Sequence, residues 1–268
     1  MKEISLREQQ LISLDILTYF DEICEKNNIK YSLGGGTLIG AVRHQGFIPW
    51  DDDIDVYMLR DEYLRFIQIW KDKDTEHSYY KLSSAEDING TMVGEITKIF
   101  DTRTYLLEPN GKENSIFIDI FILDYVPNEP NLIFQMMKKH RRLKLRLTSC
   151  RKKIYKYKDN KILHRLFTKL TDYFFNKMTK NLELFRLKYT GNNCDYICLV
   201  MSDYYGNWEK SYMPKEYFLQ FQKTKFENKL FPITSFYDQH LTEYYGNYME
   251  LPPEKDRRSH HTVKVCWK

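Results

Sequence analysis

An α+β fold built on a mixed sheet is the architecture this sequence predicts, and three stretches carry that prediction. Residues 5–27 place apolar side chains at helical spacing behind a helix-start signal. The stretch YSLGGGTLIGAVRHQGFIPWDDDIDVYM, residues 31–58, runs a short strand into three glycines and then into a second strand crowded with acids. SIFIDIFILDYVP, residues 115–127, is a strongly apolar strand in which Asp119 is the only polar residue between Ile116 and Leu123.

The elements follow in chain order. Ser5 and Glu8 form the S-x-x-E pattern of a capping box, in which each side chain satisfies a backbone donor of the first turn. Leu14, Ile16, Leu17, Phe20, Ile23 and Cys24 then give one apolar face, and Asn27 and Asn28 end the helix. Ile29, Tyr31 and Leu33 alternate as a strand, and Thr37 is placed to cap a short helix from Leu38 to Arg43. A strand over 54–58 and a helix over 61–70 come next, then strands near 79–82, 94–100 and 115–123. From 132 to 189 the pattern is mainly helical. The expected division is a core over 1–128 and a helical, irregular part over 129–268 folded back on it.

A chain of 268 residues with 42% hydrophobic and 15% aromatic residues has the material for a packed core. No apolar run reaches the roughly 20 residues of a bilayer span. The five cysteines lack CxxC spacing, which favours reduced thiols in a cytoplasmic protein and argues against a zinc site at Cys194 and Cys198, even if these share a helix face. The net charge of +4 hides an asymmetry. Residues 138–169 carry 14 Lys or Arg and one acid, Asp159, leaving 27 bases against 36 acids elsewhere. An acidic body with a basic stripe implies an anionic partner: a membrane surface or a polyanionic glycan. Nucleic acid is not expected, because zinc, RNP and helix-turn-helix signatures are missing and the acids would go unexplained. A solvated helical face is the plain alternative.

The acids are the informative feature. Residues two apart share a strand face, so Asp53 and Asp55 project together while Ile54 and Val56 turn to the core. Two carboxylates held so close share a proton or bind a cation, and oxygen-only ligation favours Mg²⁺ or Mn²⁺. Asp119 is costly to bury unless it meets a cation, whereas Asp124 points to the opposite face at the strand end, where a capping role suffices. Gly35 and Gly36 after a strand let a backbone approach a phosphate, and a helix start beyond them attracts anions. His240 reads as a packing or surface residue.

These motifs resemble a known arrangement. A Gly-Gly turn after a strand, D-x-D on the next strand and an acid on a later one is similar to the layout of polymerase-β-like nucleotidyltransferases. The longer string GGGTLIGAVRHQGFIPWDDDIDV, with FIDIF and the ending YGNYMELPPEKDRRSHH, resembles the LicD family of phosphocholine transferases over nearly the whole chain. The resemblance implies transfer of phosphocholine from CDP-choline to a sugar hydroxyl of a teichoic acid or other lipid-linked glycan precursor, with CMP released, at the inner face of the cell membrane. It implies that Asp53, Asp55 and Asp119 are the metal-binding acids and that Gly35, Gly36 and Thr37 form the phosphate-approaching turn. Arg43 and His44 fall on the family's Arg-His pair and are expected on the diphosphate, with Lys98 a further cation there. Arg257, Arg258, His260 and His261 are expected to close over the phosphates. A quaternary ammonium is held by aromatic faces; Trp50, Tyr204, Tyr205 and Trp208 are the candidates among an abundance of 21 Tyr. The enzymatic alternatives are a related phospho-alcohol transferase or a true nucleotidyltransferase; the non-enzymatic one is an anionic-surface binding module.

Overall fold

The computed structural model describes residues 2–71, 79–83, 96–108, 111, 113–199, 210, 212–259 and 264–268. Its first helix, α1 (Leu6–Lys26), starts at the expected capping box: Ser5 N–H donates to Glu8 Oε2 at 2.9 Å, and Glu8 N–H to Ser5 Oγ at 3.3 Å. Strand β1 is only Ser32–Leu33. The following helix α2 (Gly35–His44) begins two residues before the cap that Thr37 was expected to form; Gly34 is its N-cap. Thr37 instead accepts a hydrogen bond at 2.8 Å from Asp55 N–H, joining α2 to the next strand.

Strands β2 (Asp55–Leu59) and β5 (Glu113–Val126) run parallel, while β4 (Thr97–Leu107) is antiparallel to β5 on its other side. With β3 (Tyr80–Ser83), β6 (Tyr196–Cys198), β7 (Met213–Pro214) and β10 (Lys264–Trp267), these and β1 form one mixed eight-stranded sheet among the described residues. This bears out the predicted α+β class. β10 lines the edge at β4, and β6 extends β5, so chain beyond residue 129 completes the sheet begun by the first half.

Alternation sorts the two faces. Val56, Met58, Ile118, Ile120 and Ile122 enter the main core, which α1, α2 and α3 (Arg60–Lys71) cover with residues such as Leu17, Phe20, Leu38 and Phe66. Tyr57, Phe121 and Leu123 face the other way, into a second cluster with Met213 and Phe218. The hairpin of β8 (Phe221–Phe226) and β9 (Lys229–Thr234) reaches back to α1: at its turn, Glu227 Oε2 accepts from Arg7 at 2.5 Å and Oε1 from Phe47 N–H at 3.2 Å.

The long helical pattern resolves into α4 (Pro130–Lys156) and α5 (Lys161–Lys188), which break at Tyr157–Asn160 and pack chiefly on each other. Asn160 caps α5 by accepting from Leu163 N–H at 3.1 Å. A last short helix, α6 (Tyr237–Tyr245), buries His240 among Tyr57, Phe218 and Tyr244. Cys194 follows a turn and Cys198 lies in β6, so the two do not share the helix face that their spacing allowed; both are buried, reduced thiols.

Candidate functional site

Sheet register builds the acidic centre. Asp55 opens β2 and is the register partner of Asp119 on β5, which in turn stands opposite Lys98 on β4. The three side chains thus meet in neighbouring strands, and Lys98 Nζ lies 2.5 Å from Asp119 Oδ1 and 3.4 Å above the Phe117 ring. Lys98 is therefore engaged by Asp119, where the sequence had suggested a cation reaching the diphosphate. Asp53, two residues before Asp55, brings carboxylate oxygen within 4.8 Å of both Asp55 and Asp119.

A second group overlaps the first. Oxygens of Asp51, Asp52 and Asp53 also lie within 4.8 Å of one another, so Asp53 is shared by both triads. Asp51 and Asp52 were absent from the expected site, and two glutamines show how they are held. Gln9 and Gln10, buried on α1, donate to the carbonyls of Asp52 at 2.9 Å and Asp51 at 2.8 Å, pinning the loop before β2. The signal was present in the sequence: two polar residues at inward positions of an apolar helix face.

The glycines serve these carboxylates. A Cβ on Gly35 would clash with the Asp55 carboxylate, and one on Gly36 would sit 2.7 Å from Asp51 Oδ2. Gly35 also adopts φ +49°, a left-handed conformation that side chains oppose. The sequence reading had the glycines admit a phosphate; the packing shows them admitting the acids at the N-terminus of α2. There the helix dipole and free N–H groups favour negative charge.

Crowding shifts the protonation of this cluster. Burial, then Asp53, push the Asp51 carboxyl up to about 8, and burial with Asp53, Asp119 and Asp51 holds Asp55 well above the usual carboxylate range against the opposing pull of Lys98. A carboxyl that stays protonated at neutral pH for want of positive charge is one a divalent cation would ionise. The donor set is all oxygen, the atoms lie within reach of one ion, and α2 leaves no Cβ in the way, so the residues fit Mg²⁺ or Mn²⁺.

The other expected residues divide into near and distant ones. Ser259 Oγ donates to Asp52 Oδ2 at 2.6 Å, and Arg257 lies 5.6 Å from the centre of the Trp50 ring, so the C-terminal segment reaches the acidic loop. Trp50, a candidate for a choline cage, already carries that guanidinium on its face. Arg43 and His44 stand at the far end of α2, about 10 Å along the helix from Gly36. Arg43 donates to the carbonyls of Tyr248 at 2.5 Å and Glu250 at 3.1 Å, so its hydrogen bonds fasten the C-terminal segment to α2. Burial and the Arg43 charge lower the His44 pKa. Arg258 is exposed. His260, His261, Tyr204, Tyr205 and Trp208 fall outside the described residues. Asp124 lies on the face away from the centre, as expected, but it is no cap: it is buried in a two-pronged ion pair with Arg60, both contacts 2.8 Å.

The family described as LicD/FKTN/FKRP, nucleotidyltransferase domain, matches residues 28–149, the stretch that holds α2, β2 and β5. Over 261 residues the chain is 54% identical to the lipopolysaccharide cholinephosphotransferase LicD of Haemophilus influenzae, covering 97% of each protein. A shorter likeness, 43% over 70 residues, joins 26% of this chain to 23% of an uncharacterised protein of Rickettsia typhi. With a relative of that identity spanning almost the full length, the chain belongs to the LicD family.

Proposed function

We propose that this chain transfers phosphocholine from CDP-choline to a sugar hydroxyl of a lipid-linked cell-surface glycan, releasing CMP, with Mg²⁺ or Mn²⁺ at the acidic centre. The observation that carries the reading is the pair of carboxylate triads sharing Asp53 at the N-terminus of α2. The identity to a lipopolysaccharide cholinephosphotransferase supports choline as the cargo and a lipid-linked glycan as the acceptor class. Mg²⁺, when bound, supplies the Lewis acid that offsets charge on the diphosphate.

The chain's own groups do the rest. Asp53 and Asp55 would hold the ion, while Asp119 stands beside them, kept in orientation by its ion pair with Lys98. The acceptor oxygen forms a bond to the choline-bearing phosphorus while the bond from that phosphorus to the CMP oxygen breaks. In a loose phosphoryl transfer the hydroxyl proton leaves late, and here it passes to Asp119. The free N–H groups of the first α2 turn and Arg257 offset the negative charge that accumulates on CMP. Work at the inner face of the membrane completes this reading.

The test is ³¹P NMR of the protein with Mg²⁺ and CDP-choline, with and without a lipopolysaccharide acceptor. CMP and a new phosphodiester signal that require acceptor are expected. Pyrophosphate released from CTP or ATP, with CDP-choline left intact, would replace this reading by nucleotidyl transfer.

A further inference from the structure

The α4–α5 hairpin, residues 130–188, carries 18 Lys or Arg against three acids, which leaves 23 against 34 for the remainder. It also holds nine of the sixteen large hydrophobic residues exposed among those described. On α5 their order is not random. Ile162, Leu166, Tyr173, Leu184 and Leu187 are 81%, 47%, 54%, 56% and 77% exposed. At roughly 100° per residue they fall within about 60° of helix arc. Lys169, Lys177 and Lys180 are exposed and widen this stripe to about 80°, and no acid lies inside it. The inner face of α5 is spent on Phe174, Phe175 and Met178 against Leu143 and Leu147 of α4.

An apolar stripe threaded with lysines is the pattern of a helix that lies in a headgroup layer, where the alkyl stems extend outward and the rings and aliphatic groups sink inward. No helix among the described residues is long and apolar enough to cross a membrane. A second copy of the chain fits the stripe poorly, since a two-fold contact would set the lysines against their own duplicates. A nucleic-acid backbone would meet the lysines but leave the aliphatic residues between them without a task. At the hairpin's base the apolar surface continues into a cleft of about 460 Å³, lined by Leu132, Met136, Leu143 and Leu184 and edged by Lys139 and Lys188.

We propose that the outer stripe of α5 docks the protein on an anionic bilayer leaflet, with Ile162, Leu166, Tyr173, Leu184 and Leu187 at the boundary between headgroups and acyl chains and Lys169, Lys177 and Lys180 at the phosphates. The inference rests on the proposed lipid-linked acceptor for its purpose only. Arg186 on α5 approaches Asp124 of the core at 3.8 Å, which ties the docked helix to the sheet bearing the acidic centre.

The experiment is co-sedimentation of the full chain with phosphatidylcholine vesicles, with and without phosphatidylglycerol. Binding is expected only with the anionic lipid and is expected to weaken with salt. Changing Lys169, Lys177 and Lys180 to Gln should cost roughly fivefold in partitioning for each lysine. The double change Leu166→Glu and Leu187→Glu, at exposed positions that leave the fold intact, should abolish binding. Asp53→Asn protein should sediment as wild type does, which separates this inference from the catalytic reading. Equal sedimentation with neutral vesicles, or wild-type partitioning by both stripe variants, would overturn the proposal. So would a dimer that the Leu166→Glu and Leu187→Glu change dissociates, or RNA that competes protein off anionic vesicles at stoichiometric amounts.

Discussion

A single methyl group at Gly35 would clash with the Asp55 carboxylate, and the backbone there is left-handed. Gly35→Ala should cost more than about 1 kcal/mol of stability through its backbone alone. Displacing Asp55 by about 1 Å should lower turnover by about 100-fold. Urea denaturation and steady-state kinetics on the same preparation separate the two effects. His240 gives a residue-scale test of packing with no bearing on the chemistry. Burial lowers its pKa from 6.5 to about 4, so the unfolded chain binds the extra proton between those values and the folded chain does not. Stability should therefore be intact above pH 6.5 and fall as pH drops toward 4, by up to roughly 3 kcal/mol. Replacing His240 by Phe should flatten that part of the stability–pH curve.

At the scale of elements, Asp124 joins three pieces: β5, which carries it; α3, whose first residue Arg60 grips it; and α5, whose Arg186 approaches it. Removing one member of a buried pair leaves the other charge stranded, so Asp124→Ala should cost about 3–5 kcal/mol. A midpoint shift in urea at unchanged slope is the measurement, and metal binding at the acidic centre should persist in the folded fraction. Sequence reading took Asp124 for a strand-end residue because its partner sits 64 positions away. The same distance effect explains other differences. Alternation revealed that Asp53 and Asp55 share a face, and the apolar run around Asp119 marked it as a buried acid. Register, which sets Asp55 beside Asp119 and Lys98 opposite, is a property of strand pairing that no local pattern encodes. The capping box of α1 was legible because both its residues lie within one turn. The start of α2 was not, since Gly34 caps without a side chain and Thr37 bonds to a strand 18 residues on.

Across the whole molecule, charge is separated: the helical hairpin is strongly basic, and the remainder, acidic centre included, carries the excess acid. That separation suits an enzyme whose donor needs a cation at the site while its acceptor is held at an anionic surface. Crowded acids also leave the centre's protonation open to any cation bound there. Without a cation, Asp51 binds a proton that the unfolded chain would release, so stability falls as pH rises from 3.8 toward about 8, and the raised Asp55 carboxyl acts in the same direction. Mg²⁺ should displace those protons, and its thermal stabilisation of the protein should grow across the same interval.

Asp53 belongs to both triads, so its replacement tests the account most directly. The measurement is Mn²⁺ binding and CDP-choline turnover by Asp53→Asn protein whose circular dichroism matches wild type. With the loss of a carboxylate shared by two ligand sets, binding should weaken by more than about 100-fold, and phosphocholine transfer should fall at least as far. A folded Asp53→Asn protein that binds Mn²⁺ and transfers phosphocholine at near wild-type rates would contradict it.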